Sequence, residues 1–211
     1  MKSFEIYKKR NALYGDSPDE RIANITKVFL DRSLDSSSQI GIVNGIETNV
    51  IVNDGKNSTV KTVLFRPDSK FTIGMYFIYK GNTYLIMDFN YSDIYPKAKV
   101  TVCNNTLFLK NEPIKTQTGT DRFGRPEYDL VYPPDKPLPC IADNSITTND
   151  SDQPIRLPDN QLQLTIPYTE HPELKEGKKF QMYEREYEIS GIDETESINK
   201  VGLMIIRAVR E

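Results

Sequence analysis

One stretch of this chain occurs twice, and nothing else in the sequence constrains the fold as strongly. Lys70 to Asn90, KFTIGMYFIYKGNTYLIMDFN, is matched at a constant offset by Glu173 to Asp193, ELKEGKKFQMYEREYEISGID. Gly74 falls on Gly177, Phe77 on Phe180, Tyr84 on Tyr187 and Ile86 on Ile189. At the same offset Thr62-Val63 falls on Thr165-Ile166, while Val100 and Val102 fall on Leu203 and Ile205. The shared phase of inward and outward residues predicts equivalent strands in two places. Two copies are too few for a solenoid, which needs about three stacked units to bury a continuous core. The expectation is a mainly β protein of two related small antiparallel β-barrel or sandwich modules. Its core positions are Phe77, Tyr84 and Ile86 in one module and Phe180, Tyr187 and Ile189 in the other.

Ahead of the first module one helix is signalled. Ser17-Pro18-Asp19-Glu20 places a capping serine, a proline at the first helical position and a glutamate at N3, which is a capping box. Ile22, Ile25 and Phe29 follow at i, i+3 and i+7 as one apolar stripe. The helix is expected from about Pro18 to Ser33 or Leu34. Its stripe serves either to cover the barrel or to meet a partner, so Ile22, Ile25 and Phe29 are candidate interface residues. Asn44-Gly45 then marks a tight hairpin turn between strands.

The domain plan reads as residues 1–110 for the helix and first module, 111–159 for an extended excursion, and 160–211 for the second module. The excursion carries eight of the thirteen prolines, more missing N–H donors than a regular sheet absorbs away from its edges. It is far longer than the ordinary loop of about 4–6 residues, with room for a hairpin around Phe123-Gly124-Arg125, a strand from Tyr128 to Tyr132 and a short strand at Cys140-Ile141. It is expected to project and to order against a neighbouring subunit. Tyr128, Leu130, Tyr132 and Leu138 are its predicted anchors, and Arg122 and Arg125 its polar contacts.

The chemistry-bearing residues are sparse. His171 is the one histidine and falls on loop residue Asp68 in the repeat, so no oriented base is expected there. Cys103 and Cys140 lack the paired spacing of a zinc site, and reduced thiols are expected. Acidic runs stand at Asp150-Ser151-Asp152 and Asp193-Glu194-Thr195-Glu196, and the first lacks the glycine and glutamate spacing of a calcium loop. The eleven glycines stand singly at turns and form no phosphate loop. No catalytic residue, metal or cofactor is expected. A net charge of −3 argues against a protein whose main work is gripping phosphates. No run approaches the ~20 apolar residues that span a bilayer, and no membrane partner is expected. A cluster of Tyr76, Phe77, Tyr79, Tyr84, Phe89, Tyr91 and Tyr95 beside lysines leaves open an oligonucleotide-binding barrel face, set against aromatics that fill a core.

The order of segments resembles the head-closure and head–tail connector proteins of the tailed-bacteriophage neck. The likeness rests on Leu13-Tyr14-Gly15 with Ser17, Ile46 to Val52, Leu64-Phe65-Arg66-Pro67-Asp68, and Ile73-Gly74 with Met75 to Tyr79. Tyr84-Leu85-Ile86, Cys103-Asn104-Asn105-Thr106-Leu107, Glu176 to Phe180 and Tyr187 to Ile189 complete it. The resemblance implies a non-enzymatic virion protein, made in the host bacterial cytoplasm, that assembles as a ring of six or twelve copies. The implied partners are copies of itself, the portal or adaptor below, the tail proteins, and packaged DNA passing through the channel. A tail or baseplate station is the alternative within the same setting.

Overall fold

The structure, a computed structural model, describes residues 15, 17–55, 57–67, 69–91, 94–120, 122–146, 155–156 and 160–210. Leu13, Tyr14, Asp68 and the acidic run Asp150-Ser151-Asp152 lie outside the described residues. The chain divides into two compact units, Met1–Cys103 with Ser197–Leu203, and Asn104–Glu196 with Met204–Glu211.

The first unit opens with helix α1 (Pro18–Ser37). Its capping box is complete: Ser17 Oγ accepts from the Glu20 amide and Glu20 Oε2 from the Ser17 amide, both at 3.2 Å. The helix runs one turn further than the sequence predicts. Ser33 and Ser36 return their hydroxyls to the carbonyls of Phe29 and Ser33, and the Ser38 amide closes on Leu34. The serines that read as a stop therefore supply local partners for the last turn. Leu34 is fully buried, and Arg66 bridges Asp31 and Asp35, one helical turn apart, which fastens the helix to its unit.

Six strands follow: β1 (Gln39–Val43), β2 (Ile46–Asp54), β3 (Val60–Leu64), β4 (Tyr76–Tyr79), β5 (Asn82–Asn90) and β6 (Lys97–Val102). They close into an antiparallel barrel in the order β1-β2-β3-β6-β5-β4. The β1–β2 turn is Asn44-Gly45 with φ of 46° and 84°, the left-handed pair that a two-residue hairpin requires. The barrel shuts along β1 and β4, where Ile42 pairs with Ile78 and Val43 with Phe77. Its core is rich in aromatics: Phe65 contacts Phe71, Phe77 and Phe89 at 4.9, 6.4 and 6.0 Å. Gly41 makes room for this packing, since a Cβ there would lie 2.3 Å from the Phe77 ring.

The second unit contributes β7 (Asn105–Leu109), β8 (Ile114–Thr120), β9 (Pro126–Val131), β10 (Lys136–Asp143), β11 (Ser145–Ile146), β12 (Ile155–Arg156), β13 (Gln161–Pro167), β14 (Lys179–Met182) and β15 (Arg185–Asp193). After these come β16 (Ser197–Ile198), which belongs to the first unit, and β17 (Val201–Arg210), which belongs to the second from Met204 onward. The main sheet has the order β7-β10-β13-β17-β15-β14. Counting these six strands alone along the chain, this is the order first, second, third, sixth, fifth and fourth, the order of the first barrel.

The repeat extends to details. Gly74 and Gly177 both have positive φ, 85° and 79°. The Gly74 amide donates to Ile86 O and the Ile86 amide to Met75 O, and the same bonds join Gly177, Ile189 and Lys178. Phe77 pairs with Tyr84 as Phe180 does with Tyr187. A β-bulge interrupts β5 between Ile86 and Asp88, and another interrupts β15 between Ile189 and Gly191, at the same place.

Two expectations need correction. The constant offset fails at the last strand. Ile86 pairs with Val100, and its counterpart Ile189 pairs with Ala208, so Val100 corresponds to Ala208 and not to Leu203. The segment carrying β16 lengthens the connection by five residues. The module boundaries also shift. β7 and β10, which the sequence reading gives to the first module and to the excursion, are strands of the second sheet. The ladder from β13 reaches β10 only at Ile141, so over Pro137 and Pro139 β10 has a neighbour on one side alone, an edge setting that proline tolerates.

Candidate interaction surfaces

The segment between β7 and β10 stands where the first barrel has only Asn44-Gly45. Here the chain extends into β8 and β9, which pair from Ile114–Val131 to Thr120–Pro126 as a separate two-stranded ribbon. Every residue of both strands is exposed. Ile114, Tyr128, Leu130 and Val131 lie along it, and Phe123, 84% exposed, stands in the turn at its tip between Arg122 and Arg125. A lone two-stranded hairpin is marginal in water, so this much exposed apolar area on one marks a surface made for contact.

The predicted anchors separate. Tyr128, Leu130 and Tyr132 are exposed on the ribbon and just after it. Leu138 is not an interface residue: it is buried on β10 in the core of its own sheet, with Leu107, Cys140 and Leu164. The prolines around it disguise a core strand as a linker. Phe123 escaped the sequence reading as a contact residue. The available signal was an aromatic in a turn, flanked by arginines, where polar residues are the rule.

Helix α1 presents a second surface. Ile22, Ile25 and Phe29 are all exposed, with Phe29 at 74%. The stripe does not cover the barrel, because the helix is held through Leu34 and the Arg66 pairs.

The third feature is a seam. β1 and β4 pair in the first barrel, whereas their counterparts β7 and β14 share no ladder. A pocket of about 340 Å³ lies there, lined by Leu107, Leu109, Leu174, Phe180 and Ile189 and by the charged Lys110, Asp135, Glu173, Lys179 and Glu186. Phe77 is fully buried and Tyr84, Ile86, Tyr187 and Ile189 nearly so, but Phe180 is only half-buried against its core. The cause lies across the seam. β1 has Gly41 at its first inward position, where Phe77 needs the space. The matching inward position of β7 is Leu107, itself buried, so a side chain stands where the first barrel has none.

The remaining candidates are placed plainly. His171 sits half-buried in a turn, its Nδ1 accepting from the Glu173 amide at 3.2 Å. Cys103 and Cys140 are not joined in a disulfide, and burial pushes the Cys140 thiol up to about 12, which suppresses the thiolate needed for reactivity. Among the described residues no group of three or more His, Cys, Asp or Glu side chains is placed to hold a metal ion. Most of the tyrosine-rich cluster fills the first barrel. Tyr91 and Tyr95 are exposed, with Tyr91 packed on Phe89 at 4.9 Å. No helix among the described residues is long and apolar enough to cross a membrane.

Comparison with known proteins adds the following. The family profile described as the YomX C-terminal domain matches residues 113–209, from the foot of the ribbon to the last strand. The SPbeta prophage-derived uncharacterized protein YomX of Bacillus subtilis (strain 168) is 31% identical over 118 residues, 54% of this chain and 55% of the relative. The chain thus spans about half the length of the curated relative it matches. No solved structure matches the chain. Over about half its length, then, this is a chain similar to a prophage-derived protein.

Proposed function

We propose that the protein is a structural component of a tailed-phage virion, a ring in the neck between portal and tail that lines the DNA channel. The exposed apolar ribbon β8–β9 carries this reading. A protein acting alone gains nothing from Phe123, Tyr128, Leu130 and Tyr132 standing in solvent, whereas an assembly subunit needs such surfaces, and obligate interfaces are built from them. Similarity to a prophage-derived protein and the sequence resemblance to neck proteins agree with it. Helix α1 offers a further contact through Ile22, Ile25 and Phe29, and closed rings follow when a heterologous contact has a rotation that closes. Its partners on this reading are copies of itself, the portal or adaptor, and the tail proteins, with DNA only in passage.

The test is to delete Thr116 to Asp129 in the phage genome. Expected are filled heads and separate tails that fail to join, with the altered protein missing from the particles. Normal yields of infectious phage would refute the neck assignment. Electron microscopy of intact particles then separates the neck from a tail or baseplate station.

A further inference from the structure

We propose that the ribbon tip of one copy seats Phe123 in the open seam of a second copy, joining molecules head to tail through the pocket between β7 and β14. The first barrel shows the seam when closed: main-chain pairing spans β1 and β4, and Phe77 is fully buried. In the second sheet the same seam has no ladder, its phenylalanine Phe180 is only partly buried, and a pocket of about 340 Å³ reaches the buried side chains of Leu107, Leu109 and Ile189. A cavity of about 150 Å³ is large enough for a benzene ring, so this pocket, walled by both apolar and charged side chains, has the volume for a phenyl group.

The occupant has to come from another molecule. Lys110 and Asp135, at the foot of the ribbon, line the pocket, while Phe123 is at the tip. The seven-residue strand β8 is paired from one end of its ladder to the other, with a single bulge between Gln117 and Gly119. At ~3.3 Å per residue it holds the tip roughly 20 Å from its own foot. A copy therefore cannot fill its own seam without breaking its ribbon, yet it offers that tip to the next.

Charge agrees. Arg122 and Arg125 flank Phe123, and the pocket sets Asp135, Glu173 and Glu186 against Lys110 and Lys179. Glu173 and Glu186 are held by Lys178 at 3.5 Å and Lys179 at 4.0 Å, long separations that an arginine can compete for. An aromatic in a desolvated pocket with arginines at the rim is the usual make-up of an interface hot spot. Because knob and pocket are different surfaces of one chain, the contact is heterologous and propagates. It does not depend on the neck assignment and stands or falls in solution.

Sedimentation velocity on the full chain tests it, comparing wild type, Phe123→Ala and Gln181→Trp, with circular dichroism to show that each variant is folded. Gln181 is exposed on the pocket wall, so tryptophan there crowds the opening without entering the core. Expected is a wild-type sedimentation coefficient that rises with concentration, while each variant alone stays monomeric. An equal mixture of the two variants gives a dimer and nothing larger, since one supplies the intact tip and the other the intact pocket. A wild type that stays monomeric at every concentration overturns the proposal. So does either variant that associates as the wild type does, or a mixture that behaves as its separate components.

Discussion

Gly41 shows how one missing side chain decides the filling of a barrel. With any Cβ at that position overlapping the Phe77 ring, Gly41→Ala forces the ring off its place or the strand outward. Overpacking of this kind costs about 1–3 kcal/mol, and the loss is expected in a chemical denaturation midpoint. Asp193 makes a different prediction, about pH. Its Oδ1 accepts from the Thr195 hydroxyl at 2.7 Å and the Thr195 amide at 3.0 Å, and Arg207 lies 3.7 Å from its Oδ2. The Thr195 hydrogen bonds first, and Arg207 after them, hold the carboxyl below its usual range. A depressed carboxylate stabilises the fold above its unfolded pKa, and that stability is lost as pH falls through the lower folded value. In an NMR titration the Thr195 amide shift should therefore move at a lower pH than that of an ordinary aspartate. A midpoint at or above the ordinary value would show the turn to be open in solution.

Among the elements, those with local chemistry were readable in advance. The capping box of α1 rests on Ser17 and Glu20, three residues apart, and the β1–β2 turn on Asn44-Gly45. Neither needs anything distant. Of β10 only the short strand at Cys140-Ile141 was readable, for the opposite reason: Pro137 and Pro139 argue against a longer strand until it is known that β13 joins only beyond them. The exposure of the α1 stripe was open as well, because periodicity reveals an apolar face and not what lies against it. The ribbon is the element whose removal should matter least to the fold. All its strand residues are exposed and its ladder is its own. Deleting Thr116 to Asp129 is expected to change the stability of the isolated protein by no more than about 0.5 kcal/mol, the range of ordinary surface changes. A larger loss would mean that the ribbon braces its own unit.

Across the whole molecule, the two copies provide an internal control. The same phenylalanine, paired with the same tyrosine, is sealed in one copy and half-open in the other. Phe77→Ala should cost about 3–5 kcal/mol, as core phenylalanine truncations do. Phe180→Ala should cost only about 1–2 kcal/mol, in proportion to the smaller area withdrawn from water. Equal costs would indicate that the seam closes in solution. The sequence repeat anticipated two modules of one topology, since turns, bulges and paired aromatics recur at fixed spacing. It could not anticipate the open seam, which depends on Leu107 standing where Gly41 stands, in a strand outside the repeated stretch.

The bulges in β5 and β15 act on the alternation of side chains as a frameshift acts on a message. Tyr84 and Ile86 point inward, and after one supernumerary residue the next inward side chain is Phe89. In the second copy the series is Tyr187, Ile189 and then Ile192. Removing Met87 would leave Tyr84, Ile86 and Phe89 in simple alternation on the inward face, whereas straightening the bulge with Met87 kept would turn Asp88 inward and Phe89 out into solvent. Both copies keep this frame, and their differences in length collect between strands: Asn44-Gly45 against residues 110–135, and the longer connection that carries β16. New surfaces could be added to a scaffold of this kind only at its punctuation, which is where the ribbon stands.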